Sequence, residues 1–243
     1  LGLVGLVITA VGKGTAHLLY LGRPERFIRA MARPDRSWIA RGIWSMTSVV
    51  VFGGLQVLGT LGWIGGPLAP GAALWWIFTV LSGLAALLLM LYEGFLVSTS
   101  PAIPLWHTAL MPILFAFYSL LGGLVLSTFI NEITGAPVEG FLKLLESAIL
   151  GLNFVLLLVF VAGGWTSSET ARETVRQLLK GKLGVLFVGG VILVGIVLSM
   201  ILGLYFASTG NLLAMWLVAA TDLVGDFLLF YLLLKSGLFA PVY

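Results

Sequence analysis

The stretch ALWWIFTVLSGLAALLLMLYEGFLV, residues 73–97, contains one charged side chain, Glu93, and it stands near the end of the run. About 20 apolar residues in helical form cross the roughly 30 Å hydrocarbon core of a bilayer, so this stretch is long enough to span one. A barrel strand would alternate apolar and polar residues over about ten positions, and this run does not alternate. The helix is the remaining structure that satisfies its own backbone in lipid. The same reading applies to residues 1–21, 40–63, 106–131, 141–164, 184–207 and 211–235. The expectation is an all-α integral membrane protein with seven visible spans.

Composition supports the reading. Of 243 residues, 60% are hydrophobic and 9% are charged, with a mean hydropathy of +1.11. A soluble domain carries about 25% charged residues, so this chain lacks the charge to solvate a surface in water. It has no cysteine, which excludes disulfides, thiolate-held iron–sulfur clusters and Cys-ligated zinc. Its two histidines, His17 and His107, could supply at most one bis-His haem.

The basic residues cluster. Arg23, Arg26, Arg29, Arg33, Arg36 and Arg41 follow the first span, Arg172, Arg176, Lys180 and Lys182 follow the fifth, and Lys235 ends the last. If the spans alternate, all of these share one face, and the opposite face has only Lys143. Basic loops mark the cytoplasmic side, which places the C-terminus there as well. Two loops read as surface helices. Residues 23–34 begin with an early proline and carry Phe27, Ile28 and Met31 on one face. Residues 166–182 contain Thr170 and Glu173 at capping-box spacing. Either could lie on lipid headgroups or dock a partner.

An ionisable residue inside a span is costly and needs an explanation. Lys13 and His17 stand four apart in the first span and so share a face. Glu93 follows Tyr92 at the end of the third. Glu146 and Asn153 share a face of the fifth, and Asp222 and Asp226 share a face of the last. Snorkelling or local pairing explains some of these residues. The aspartate pair is harder to explain that way: two carboxylates on one face call for a counter-charge, water or a shared proton, and they suit a relay. The stretch YEGFLVSTSPAIPLWHT (92–108) then gathers a phenol, a carboxylate and an imidazole at a membrane edge, in a loop stiffened by prolines.

Three stretches bring a family into view. LLYLGRPERFIRAMARPDRSWIARGIW (18–44) resembles the Leu-Gly-Arg-Pro loop and Ser-Trp-x-x-Arg-Gly element of NrfD-like polysulfide reductase membrane subunits. YEGFLVSTSPAIPLWHTALMPILF (92–115) resembles that family's Tyr-x-Gly helix end, its proline loop and the helix start after it. GDFLLFYLLLKSGLFAPVY (225–243) is similar to the family's last helix and tail. Tyr20, His107 and Phe230 depart from the residues common at their positions.

The resemblance implies a quinone-interacting subunit of an oxidoreductase complex, with eight helices in two four-helix bundles. Residues 1–97 would form the first bundle, whose first helix is expected before Leu1, and 98–243 the second. It further implies a ferredoxin-like iron–sulfur partner, a catalytic subunit that holds molybdenum or tungsten, and quinone or quinol (menaquinone or ubiquinone) as the cofactor. No haem or metal is expected in this chain, and the setting implied is the inner membrane of a prokaryote.

On this basis Tyr92, Glu93 and His107 are the expected catalytic group, and Tyr92, His17, Lys13 and Trp106 the expected quinone contacts. Asp222, Asp226 and Glu146 are the expected proton path, and Arg23, Arg26, Arg29 and Arg41 the expected docking residues. A proton- or ion-coupled transporter, a passive anchor and a haem-bearing anchor are the alternatives.

Overall fold

The computed structural model describes residues 1–20, 23, 27–136 and 140–241. Among these residues there is no strand, and seven helices are long and apolar enough to cross a membrane. They are α1 (Gly2–Leu19), α2 (Trp38–Thr60), α3 (Ala73–Ser98), α4 (Leu110–Ile133), α5 (Gly140–Ser167), α7 (Val185–Thr209) and α8 (Leu212–Lys235); a shorter helix, α6 (Glu169–Lys180), lies between α5 and α7. Large apolar side chains are exposed on the spans, for example Leu84 and Leu88 on α3 and Leu204 on α7. Such surface requires lipid as the solvent.

The chain divides into two compact units, Leu1–Leu96 and Val97–Tyr243. In the first, Gly53 of α2 lets Leu6 of α1 and Ser82 of α3 come close. Aromatic stacking joins α2 to α3: Trp38 lies on Phe95 with centroids 4.3 Å apart, and Phe52 on Phe78 at 5.9 Å. The second unit has a continuous buried core that includes Met111, Leu114, Phe160, Phe187 and Leu229. Its α7 and α8 meet at backbone level, where Gly195 faces Gly225 so closely that a Cβ on either would fall about 2.5 Å from the other's Cα. Small residues at such a crossing are what permit the approach.

The ends of the spans follow local chemistry. Ser37 caps α2 by accepting from the Ala40 amide at 3.3 Å. Gly210 closes α7 in the left-handed conformation (φ 64°), and Asn211 at once caps α8 by accepting from Leu213 and Ala214. Two stretches wind as π-helix, Ile8–Lys13 and Val185–Leu198, and each delivers a polar residue: Lys13 ends the first and Ser199 follows the second. Wider turns of this kind gather at functional sites.

Three expectations need correction. The fourth span starts at Leu110 rather than 106, because residues 101–106 turn around Pro101 and Pro104. Pro112 therefore sits in the first turn, where a proline removes no helical hydrogen bond. The cap of α6 is Ser168, which accepts from Ala171 at 3.1 Å, and not Thr170. Of the surface helix expected over 23–34, the described residues form one helical turn, Phe27–Ala30, and residues 31–34 are not helical. The expected start at Pro24, with Leu21, Gly22 and Arg26, lies outside the described residues.

Candidate functional site

Within the first unit, α1 and α3 bring four polar side chains together. The Lys13 ammonium is paired with Glu93 Oε1 at 2.5 Å, and it lies 5.3 Å from the centre of the Tyr92 ring. His17 Nε2 is 2.9 Å from the Tyr92 hydroxyl, and His17 Nδ1 is 2.9 Å from the Lys13 carbonyl oxygen. A carbonyl only accepts, so Nδ1 carries a hydrogen and donates. In the neutral ring, Nε2 is therefore the acceptor, and the Tyr92 hydroxyl donates to it. The same hydroxyl is 3.3 Å from Glu93 Oε1, which can also accept from it.

This arrangement can move a hydrogen without moving a heavy atom. While His17 is neutral, the phenol donates to Nε2. If His17 takes a proton, Nε2 becomes a donor to the phenol oxygen, and the phenol's hydrogen turns to Glu93. His17, Tyr92 and Glu93 thus form one line of exchange, with Lys13 holding its acidic end.

The line borders a cavity of about 470 Å³. Lys13, His17 and Tyr92 supply its polar edge. Apolar side chains, among them Phe27, Ile39, Ile43 and Met46, supply the rest. A mostly apolar pocket with a few convergent polar groups is the usual form of a small-molecule site.

The Ser-Trp-x-x-Arg-Gly segment positions this site, and each of its distinctive residues has a separate role. Ser37 starts the helix, and Trp38 stacks on Phe95. Arg41 donates to the carbonyls of Pro34 and Asp35, at 2.7 and 2.9 Å, and covers Trp38. Trp44 donates to the Met31 carbonyl at 3.1 Å, fastening the loop a second time. Gly42 seats the tyrosine: a Cβ there would fall 2.3 Å from the Tyr92 ring. Sequence reasoning did not single out Gly42 as a site residue, because its importance lies in a ring fifty positions away. Gly42→Ala is expected to cost about 1–3 kcal/mol through overpacking, measured as a lower thermal midpoint of the purified protein; an unchanged midpoint would show that the ring is free to move aside.

The other expected site residues are placed as follows. His107 is exposed and belongs to the second unit, where Nδ1 donates to the Ser98 carbonyl at 2.8 Å. Trp106 donates its indole N–H to the Leu233 carbonyl at 2.9 Å and packs against Gly237, so it braces the proline loop on α8. Arg23 and Arg29 are exposed, whereas Arg41 is engaged with the loop carbonyls. Glu146, Asp222 and Asp226 all lie in the second unit. Glu146 accepts from Thr128 at 3.0 Å, and Asp222 is buried. Among the described residues, no group of three or more His, Cys, Asp or Glu is arranged to hold a metal ion.

Seven apolar spans define a multi-pass membrane protein, and its first unit holds an apolar cavity with a polar edge. The family model described as polysulphide reductase, NrfD, matches residues 3–241, nearly the whole chain, and the chain belongs to that family. The family comprises membrane subunits of polysulfide and related reductases, so this chain is a membrane-anchor subunit of an oxidoreductase complex. Comparison with curated proteins and with solved structures finds no match.

Proposed function

We propose that the first-unit cavity binds quinone or quinol, and that the subunit exchanges two electrons between it and an iron–sulfur partner. The observation that carries this reading is the cavity itself. Its volume of about 470 Å³ can admit a substituted ring, its walls suit an apolar tail, and its hydrogen-bonding groups converge at one edge. When bound, a quinol supplies two electrons and two protons, and a quinone accepts them.

The residues present fit that group. The Tyr92 hydroxyl is the donor for a ring oxygen, and His17 stands behind it at 2.9 Å to accept or return the hydrogen. Glu93, ion-paired with Lys13, is the far acceptor of the same line. Phe27, Ile43 and Met46 exclude water from the ring's faces. His107 is proposed to pass protons onward from the membrane edge, and Trp106 to hold the loop that carries it. Menaquinone and ubiquinone both suit the lining.

The partner proposed for electron exchange is a ferredoxin-like subunit, itself attached to a catalytic subunit of molybdenum or tungsten type. The exposed Arg23 and Arg29, with Arg26 and Arg41, are the proposed docking residues. That face is proposed to be cytoplasmic, which the clustering of basic residues in these loops supports, and the subunit is proposed to sit in the inner membrane of a prokaryote.

Filling the cavity tests the reading. Met46→Trp is expected to raise the apparent KM for quinol by about ten-fold or more, as loss of pocket complementarity does, and to reduce the quinone that co-purifies with the complex. Turnover with a soluble dye should stay at the wild-type level. Normal quinol kinetics with the cavity filled would overturn the proposal.

A further inference from the structure

The second unit contains a separate polar chamber that the quinone reading does not use. Among its walls are Glu146 of α5, Ser199 of α7 and Asp222 of α8, with Leu121, Val125 and Leu150 as the apolar side. Its volume is about 10 Å³, roughly what a single water needs.

The polar groups around it are incompletely satisfied. Asp222 is 1% exposed, and its Oδ2 has no hydrogen-bond partner. Two further orphan atoms belong to the same unit, the Tyr118 hydroxyl on α4 and Asn153 Oδ1 on α5. A buried oxygen without a partner is destabilising, and a water beside Asp222 would remove that penalty. Ser199, also 1% exposed, already has partners, the Val194 carbonyl at 3.4 Å and Thr221 Oγ1 at 2.7 Å, and keeps acceptor capacity for a water. Thr128 donates to Glu146 Oε2 at 3.0 Å and leaves Oε1 for another partner.

Among the described residues no cation forms an ion pair with these acids, although the Lys143 charge, one turn before Glu146 on α5, acts on Glu146. Lys143, on the same helix as Glu146, is paired with Glu132 at 3.0 Å and lies over Phe206. Glu146, Asp222 and Asp226 form no ion pair among the described residues. The groups facing the chamber's acids are one another, Tyr118 and Thr128 on α4, Lys143 on α5 and the neutral Ser199 on α7. A desolvated Ca2+ or Mg2+ takes six or more oxygens, and this chamber offers few. One water between two carboxyl groups fits both the space and the donor count.

We propose that Glu146, Asp222 and Ser199 enclose a single bound water and form with it a proton-exchange station in the membrane interior. A carboxyl proton on Glu146 passes to the water, and the water's proton passes to the Asp222 carboxylate. Glu146 is left ionised, and no electron moves. Asp226, one turn along α8 and beside Gly122, is the next acceptor. Asp222 stands ten residues into α8, about 15 Å along its axis, so the station lies near mid-membrane. It requires nothing from the first-unit cavity and stands or falls independently of the quinone reading.

Infrared difference spectra of the intact complex in lipid, recorded in H2O and in D2O, test this. Wild type is expected to show a carboxylic C=O band that shifts in D2O. Asp222→Asn should remove that band, and Ser199→Ala should move it without removing it. A wild-type spectrum with no deuterium-sensitive carboxylic band would overturn the proposal. So would a band that Na+ abolishes at fixed pH, which would indicate a cation site. If Asp222→Asn does not assemble, an unmoved band in Ser199→Ala is the overturning result.

Discussion

Tyr92→Phe is expected to lower quinol-linked turnover of the assembled complex by about a hundred-fold or more, the usual range for removing a positioned proton-transfer group. Turnover with a soluble dye at the catalytic subunit should hold. The substitution removes one oxygen and nothing else from the packing. The ring still rests on Gly42 and still closes one side of the cavity. What is lost is the atom that touches both His17, at 2.9 Å, and Glu93, at 3.3 Å, so the line of exchange is cut at its centre. Glu93→Gln should cause a smaller fall, because the amide keeps the shape but leaves Lys13 without its counter-charge. The two losses should not add: once the phenol is gone, the far acceptor has nothing to receive. Wild-type quinol kinetics in Tyr92→Phe would remove the tyrosine from the chemistry, whatever the cavity binds.

The helices were legible in the sequence, and the couplings between them were not, for a physical reason in each case. A lipid-spanning helix is a local property: α3 can be read from residues 73–97 because each backbone group is satisfied within the segment. Start points shifted where side chains compete for the same job. Ser168 took the cap that spacing gave to Thr170, and the turn at Pro101 and Pro104 delayed α4 to Leu110. The spacing of Lys13 and His17 put them on one face of α1. That they meet Glu93 and Tyr92, 80 and 75 positions away, is a tertiary fact that no periodicity encodes. Gly42 is the clearest case. In sequence it is one of many small residues in a glycine-rich chain, and only the position of the Tyr92 ring makes it a site residue. The same holds for Ser199, an ordinary serine in sequence, which in the fold follows a π-helical stretch and lines the same small cavity as Asp222.

Gly225→Val should prevent the complex from accumulating in the membrane. At this crossing the two helices touch through bare backbone, and the added Cβ alone would fall 2.4 Å from the Gly195 Cα. Ordinary overpacking in a core costs about 1–3 kcal/mol because neighbouring side chains shift. Here no side chain is available to shift, so α7 and α8 must separate along their length. Separation would break the Ser199–Thr221 contact at 2.7 Å and expose Asp222, which the crossing helps to bury. An unsatisfied carboxyl would then face lipid, where a charged group costs about 2.5–3.5 kcal/mol on insertion scales. Together the two penalties are comparable with the lower part of the roughly 5–15 kcal/mol that typically holds a folded protein together. Gly195→Val should fail in the same way, and the double variant should be no worse than either single one, since one contact is lost in all three. Size-exclusion yield from solubilised membranes measures the effect. A normal yield with Gly225→Val would mean that α7 and α8 are held together by their apolar side chains, with the glycine contact incidental.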